Sequence, residues 1–134
     1  MDMSALNFWA IGVAAISSFV IGALWYSPLL FGKIWQREAK LSDEAIANSN
    51  MVKTFGLTFL LSLIIAFNLA AFIGPTGTLS FGLFAGAAAG MGWVATALGI
   101  LYLFEQQSLK LWLINSGYHA VTFTIMGGIL GAWH

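Results

Sequence analysis

Apolar residues run in four long blocks along the chain, and the polar residues gather between them. No Asp, Glu, Lys or Arg lies between Asp2 and Lys33, and none between Lys53 and Glu105. A helix needs about 20 apolar residues to cross the roughly 30 Å hydrocarbon core of a bilayer. The first gap holds one span. The second is long enough for two, and Gly74-Pro75-Thr76-Gly77-Thr78 interrupts it with turn residues, so it reads as two spans and a tight hairpin. A fourth apolar block follows Lys110. The pattern predicts spans at 7–26, 54–73, 79–104 and 111–133, the third being long enough to tilt in the bilayer. They must be helical, because open strands leave backbone groups unpaired in lipid and so short a chain cannot close its own barrel. The expected fold is an all-α four-helix membrane bundle occupying 1–134 as one domain.

The segment 27–53 departs from this pattern. Ser42 followed by Asp43 and Glu44 is an N-cap with acidic residues in a first turn, which predicts a short helix. Phe31, Ile34 and Trp35 beside Lys33 and Arg37 suggest a stretch lying among lipid headgroups, serving as a topology anchor or as a surface for lipid or a partner.

Composition sharpens the membrane reading. The chain is 60% hydrophobic and only 7% charged, with mean hydropathy +0.88; soluble domains carry about 25% charged residues. Lys33, Arg37, Lys40, Lys53 and Lys110 all fall in the two loops that four spans place on one side. Basic residues favour the cytoplasm, so both loops are expected inside and both termini outside. A zero formal net charge speaks against nucleic acid as a partner. Without cysteine there is no disulfide and no thiolate ligand or nucleophile.

The stretch Gly22-Ala23-Leu24-Trp25-Tyr26-Ser27-Pro28, continuing through Phe31-Gly32-Lys33 to Trp35, resembles the signature of small membrane proteins catalogued as domain of unknown function 1761. The four-span layout and the Gly-Tyr-His stretch of the last block are similar too, so the resemblance covers essentially the whole chain. It implies a bacterial-type four-helix membrane protein and brings no activity, cofactor or catalytic residue with it.

Two sets of residues could carry function. Gly82, Gly86 and Gly90 recur every fourth position, with Trp93 and Ala97 continuing that face, and Gly127 and Gly131 repeat the spacing in the last helix. Such stripes let backbones approach closely, either within the bundle or at the seam of a homo-oligomer. The second set is polar. No carboxylate or basic group lies inside a span, which weakens ion-coupled transport. His119 is the single ionisable side chain of ordinary range at depth. At 1.5 Å per residue it sits about 12 Å from the basic-side boundary, and Ser17, Ser18, Ser62 and Thr96 fall at about 12 to 14 Å. These counts predict one polar layer with a contribution from every helix. Trp112, Asn115, Thr122 and Met126 share a stripe with His119. The layer is either a histidine satisfied by hydroxyls or a site for solute or water. Trp93, at the middle of the third span, and Asn68, nearer the outer boundary, are expected to bond or pack inside the bundle.

With no nucleophile–base pair and no metal cluster in view, the sequence points away from an enzyme and assigns no cofactor or metal. Two functions stay open. One is a structural or accessory protein acting through helix contacts with itself, as a homo-oligomer, or with a larger membrane complex. The other is a small channel or carrier for a neutral solute along the His119 stripe.

Overall fold

A computed structural model describes residues 5–134, and no strand occurs among them. The helices are α1 (Phe8–Trp25), α2 (Gly32–Glu38), α3 (Asp43–Ala47), α4 (Met51–Ile73), α5 (Leu79–Ala89), α6 (Thr96–Phe104) and α7 (Leu109–Ala132), with a π-helical turn over Gly90–Ala95 joining α5 to α6.

Side-chain caps set the helix starts. The Asn7 side chain accepts from the Trp9 and Ala10 N–H groups, and Thr78 accepts from Phe81 N–H. Asn50 accepts from Lys53 N–H, so α4 begins at Met51, one turn earlier than its apolar block suggests. Ser108 does the same for α7 through Leu111 N–H, and Ser42 for α3 through Ala45 N–H. At the end of α4, Gly74 takes φ +78°, a conformation in which a side chain would be strained. That residue turns the chain into the hairpin before α5.

Three helices are long and apolar enough to cross a membrane: α1, α4 and the continuous run Leu79–Phe104. α7 has the length, with 24 residues, but its apolar character is diluted by Asn115, Ser116, Tyr118, His119 and Thr122. Its place in the fold accounts for this. α7 packs against α1, α4, α5 and the π-turn, and it holds ten buried residues where α1 and α4 hold five each. A helix surrounded by helices meets little lipid and can carry polar side chains.

The core is built from small residues, with Ala10 and Ala14 of α1 and Ala66 of α4 fully buried around Met126 of α7. α5 and α7 meet backbone to backbone. A Cβ placed on Gly86 would sit 2.8 Å from the Phe123 carbonyl carbon and 3.0 Å from Thr124 Cα; one on Gly82 would sit 2.9 Å from Gly131 Cα. Gly127 closes the seam from the other side, against Gly82 and Gly86. The glycine stripe is therefore filled by the chain's own last helix.

Beyond Gly90 the stripe does not continue through Trp93 and Ala97, which are exposed. The π-turn inserts one residue, so the face that runs Gly82, Gly86, Gly90 resumes at Ala95, which is buried, and at Gly99, which lies under the Trp112 ring. Trp93, at 74% exposure, is turned out of the bundle.

At the end opposite the basic loops, the hairpin and the two ends of the described chain come together. Leu6 is buried there, and the His134 imidazole Nδ1 hydrogen-bonds the Pro75 carbonyl.

Candidate functional site

The densest side-chain chemistry lies where α1 ends and α7 begins, beside the segments carrying the basic residues. Pro28, which has no N–H, stops α1, and the chain folds back on itself: Phe31 N–H donates to the Trp25 carbonyl at 3.0 Å and Gly32 N–H to the Ser27 carbonyl at 2.9 Å. Gly32 is buried against that turn. A Cβ there would run into the Tyr26 carbonyl oxygen and lie 2.8 Å from both C and O of Ser27. The fold-back brings Phe31 onto Trp25 (ring centroids 4.9 Å apart) and Trp35 edge-on to Tyr26 (5.3 Å). Lys33 is exposed. The signature residues thus form one cap on the bundle.

The cap is bonded to α7. The Trp25 indole N–H donates to the Ile114 carbonyl at 2.9 Å, its ring passing over Gly117, where a Cβ would lie 3.0 Å from the indole. Tyr26 O–H donates to Asn115 Oδ1 at 2.7 Å, and Asn115 Nδ2 donates to the Tyr102 oxygen at 2.8 Å. One carboxamide therefore ties the end of α1 to α6 through α7. One turn away, Tyr118 O–H donates to the Ser18 carbonyl at 2.8 Å and packs on Tyr26 with centroids 5.3 Å apart. The Trp112 indole N–H donates to the Ala95 carbonyl at 2.9 Å, the acceptor sitting at the end of the π-turn. All three tyrosines of the chain converge on this end.

The expected layer around His119 is not assembled. Its ring stands edge-on to Tyr118 and Phe123 and makes no side-chain hydrogen bond among the described residues. Ser18 and Ser62 do meet, hydroxyl to hydroxyl at 3.1 Å, joining α1 to α4. Ser17 donates back to Ala14, while exposed Thr96 donates back to Gly92 and Trp93, each within its own run of helix. Hydroxyls that can return a bond to a carbonyl three or four residues earlier do not need a partner across the bundle. Thr122 and Ser116 are each buried with the hydroxyl unpartnered among the described residues. Of the stripe that holds His119, Asn115 and Trp112 are the residues whose side chains bond to neighbouring segments. Asn68, expected to bond inside the bundle, is exposed and makes no side-chain hydrogen bond among the described residues.

Depth counting missed Tyr102 and Tyr118. A signal for both was present: the chain has three tyrosines, and all fall in the halves of their spans nearer the basic residues.

What this arrangement does chemically is hold helices together. Phenols, a carboxamide and indoles supply donors and acceptors, and among the described residues no three His, Cys, Asp or Glu side chains come together as a metal site would require. Comparison with known proteins gives one match: the family model described as a protein of unknown function (DUF1761) aligns with residues 9–131. No curated protein and no solved structure matches the chain.

Proposed function

The chain belongs to the DUF1761 family, whose function is unknown, and from that premise we propose that it is a non-catalytic accessory protein of the membrane, acting through contact with its neighbours in the bilayer. The observation that carries this reading is Asn115, whose carboxamide is engaged at both ends by Tyr26 and Tyr102. Polar groups spent on fastening one helix to the next leave a rigid body, and the hydroxyls of Ser17 and Thr96 turn back to their own helices rather than lining a path with His119.

In this reading α7 is a fourth span. Its 24 residues reach about 36 Å, and α1, α4 and α5 shield its polar side chains from lipid. The basic loops then face the cytoplasm and the termini the outside, in a bacterial-type cytoplasmic membrane. Neighbours are further copies of the chain or subunits of a larger complex. Because α7 fills the glycine stripe of α5, such contacts use the outer faces of the helices.

The test is reconstitution. Proteoliposomes should shrink and recover under a glycerol or urea gradient at the rate of empty liposomes, while cross-linking in native membranes traps the chain with itself or another protein. Solute entry above that of empty liposomes would replace this reading with the channel. Cysteines introduced at Ser42 and Thr76 test the topology, and should label from opposite sides.

A further inference from the structure

α5 leans on α7 through its glycines, and this draws it away from α4. The two helices meet near the hairpin, where Phe72 and Phe81 stack with centroids 6.1 Å apart. Below that contact they flank a groove of about 590 Å³. Small residues of α5, Ala85 and Ala88, keep it open, and Phe123 of α7 lines it. Trp93 lines the other end. At 1.5 Å per residue the distance from Phe81 to Trp93 is about 18 Å, so the space is long and narrow and runs along the helices.

Two polar groups break the apolar lining. The Asn68 carboxamide makes no hydrogen bond among the described residues, and neither does the Trp93 indole N–H. Both would be costly to leave unpaired at membrane depth. Trp93 is there because the π-turn rotates it out of the bundle, and such turns recur at functional sites. No lining residue carries a charge. Sites for small molecules commonly have this makeup: some hundreds of Å³, mostly apolar, with a few placed polar groups.

We propose that this groove binds an uncharged long-chain lipid bearing a hydrogen-bonding oxygen, a carbonyl or a hydroxyl, with that oxygen paired to Asn68 and the chain laid along the aromatic wall. Lipid is the medium that surrounds the groove. The neutral lining disfavours a carboxylate or phosphate within it, and Phe72 against Phe81 closes the hairpin end, so the ligand enters sideways from the bilayer. The site goes beyond the accessory reading and stands or falls separately from it, since neither solute flux nor capture of a neighbour at the other outer faces reports on the groove.

The experiment is photolabelling of the full chain in phosphatidylcholine nanodiscs. Two diazirine probes of equal chain length are compared, a long-chain alcohol and the corresponding fatty acid. The alcohol should label peptides covering 65–72 and 84–93 at least fivefold above the exposed α1 face at Val13 and Val20, and above the acid. Asn68→Leu should cut groove labelling several-fold and leave α1 labelling unchanged. Ala88→Phe, which fills the space, should abolish it even if Asn68→Leu is poorly tolerated. Uniform labelling of groove and α1, preference for the acid, or no response to either substitution would overturn the site. So would efficient disulfide formation between copies of an Ala88→Cys variant in membranes, because a second chain would then occupy the groove.

Discussion

Asn115 and Asn68 present the same carboxamide in two settings. Asn115 sits where α1, α6 and α7 converge, accepting from one tyrosine and donating to another. Asn68 lines the gap between α4 and α5 with no partner among the described residues. The difference originates in the small residues. Where glycines let backbones touch, as between α5 and α7, the helices close. Beside Ala88 of α5, α4 and α5 flank an open groove. One chain thus has a fastened side and an open side, and pulling α5 tight against α7 helps to open the gap on α4.

The seam should be the most sensitive place to break this contrast. Gly86→Ile puts a branched side chain against the Phe123 carbonyl, and overpacking of this kind costs about 3 kcal/mol or more. The variant should fail to fold or melt far below wild type in detergent. Unchanged melting would mean that α5 and α7 do not touch there. Next comes the cap. Gly32→Ala drives a methyl into the turn that holds Tyr26, and should destabilise by about 2 kcal/mol while making Trp35 fluorescence more water-like. Normal stability with unaltered emission would detach the signature from the bundle. The Ser18–Ser62 bond should matter least. Ser62→Ala should cost about 0.6 kcal/mol, the usual worth of a hydrogen bond between membrane helices, measured by unfolding in mixed micelles. A loss several times larger would make that pair, rather than Asn115, the main tie in the bundle.

The all-helical fold was legible because lipid imposes one rule on every backbone group, and charge-free runs reveal where that rule applies. The three apolar helices stand within three residues of where the apolar blocks put them. The site was legible only in part. The string from Trp25 to Trp35 marked the cap, but nothing in its spacing disclosed that Trp25 and Tyr26 reach Ile114 and Asn115, 89 positions away. Depth counting aligned Ser17, Ser62, Thr96 and His119 and could not say which way each faced. Ser17 and Thr96 bond their own helices instead. Trp93 and Ala97 were put on the wrong face because a regular helical period was carried through Gly90. The small residues themselves held the correction: Gly82, Gly86, Gly90, then Ala95 and Gly99, a step of five within steps of four.

One asparagine thus fastens the bundle, and the other stands apart from it, open to the ligand proposed above. Unfolding of Asn115→Leu and Asn68→Leu, side by side in the same detergent without added lipid, tests it most directly. Leucine is close in size, so each substitution removes mainly the amide. Asn115→Leu leaves two half-buried phenols without their shared partner and should lose about 1 to 2 kcal/mol. Asn68→Leu removes an unpaired polar group and should leave stability unchanged or slightly raised. Equal losses in the two variants, or a larger loss from Asn68→Leu, would contradict the account.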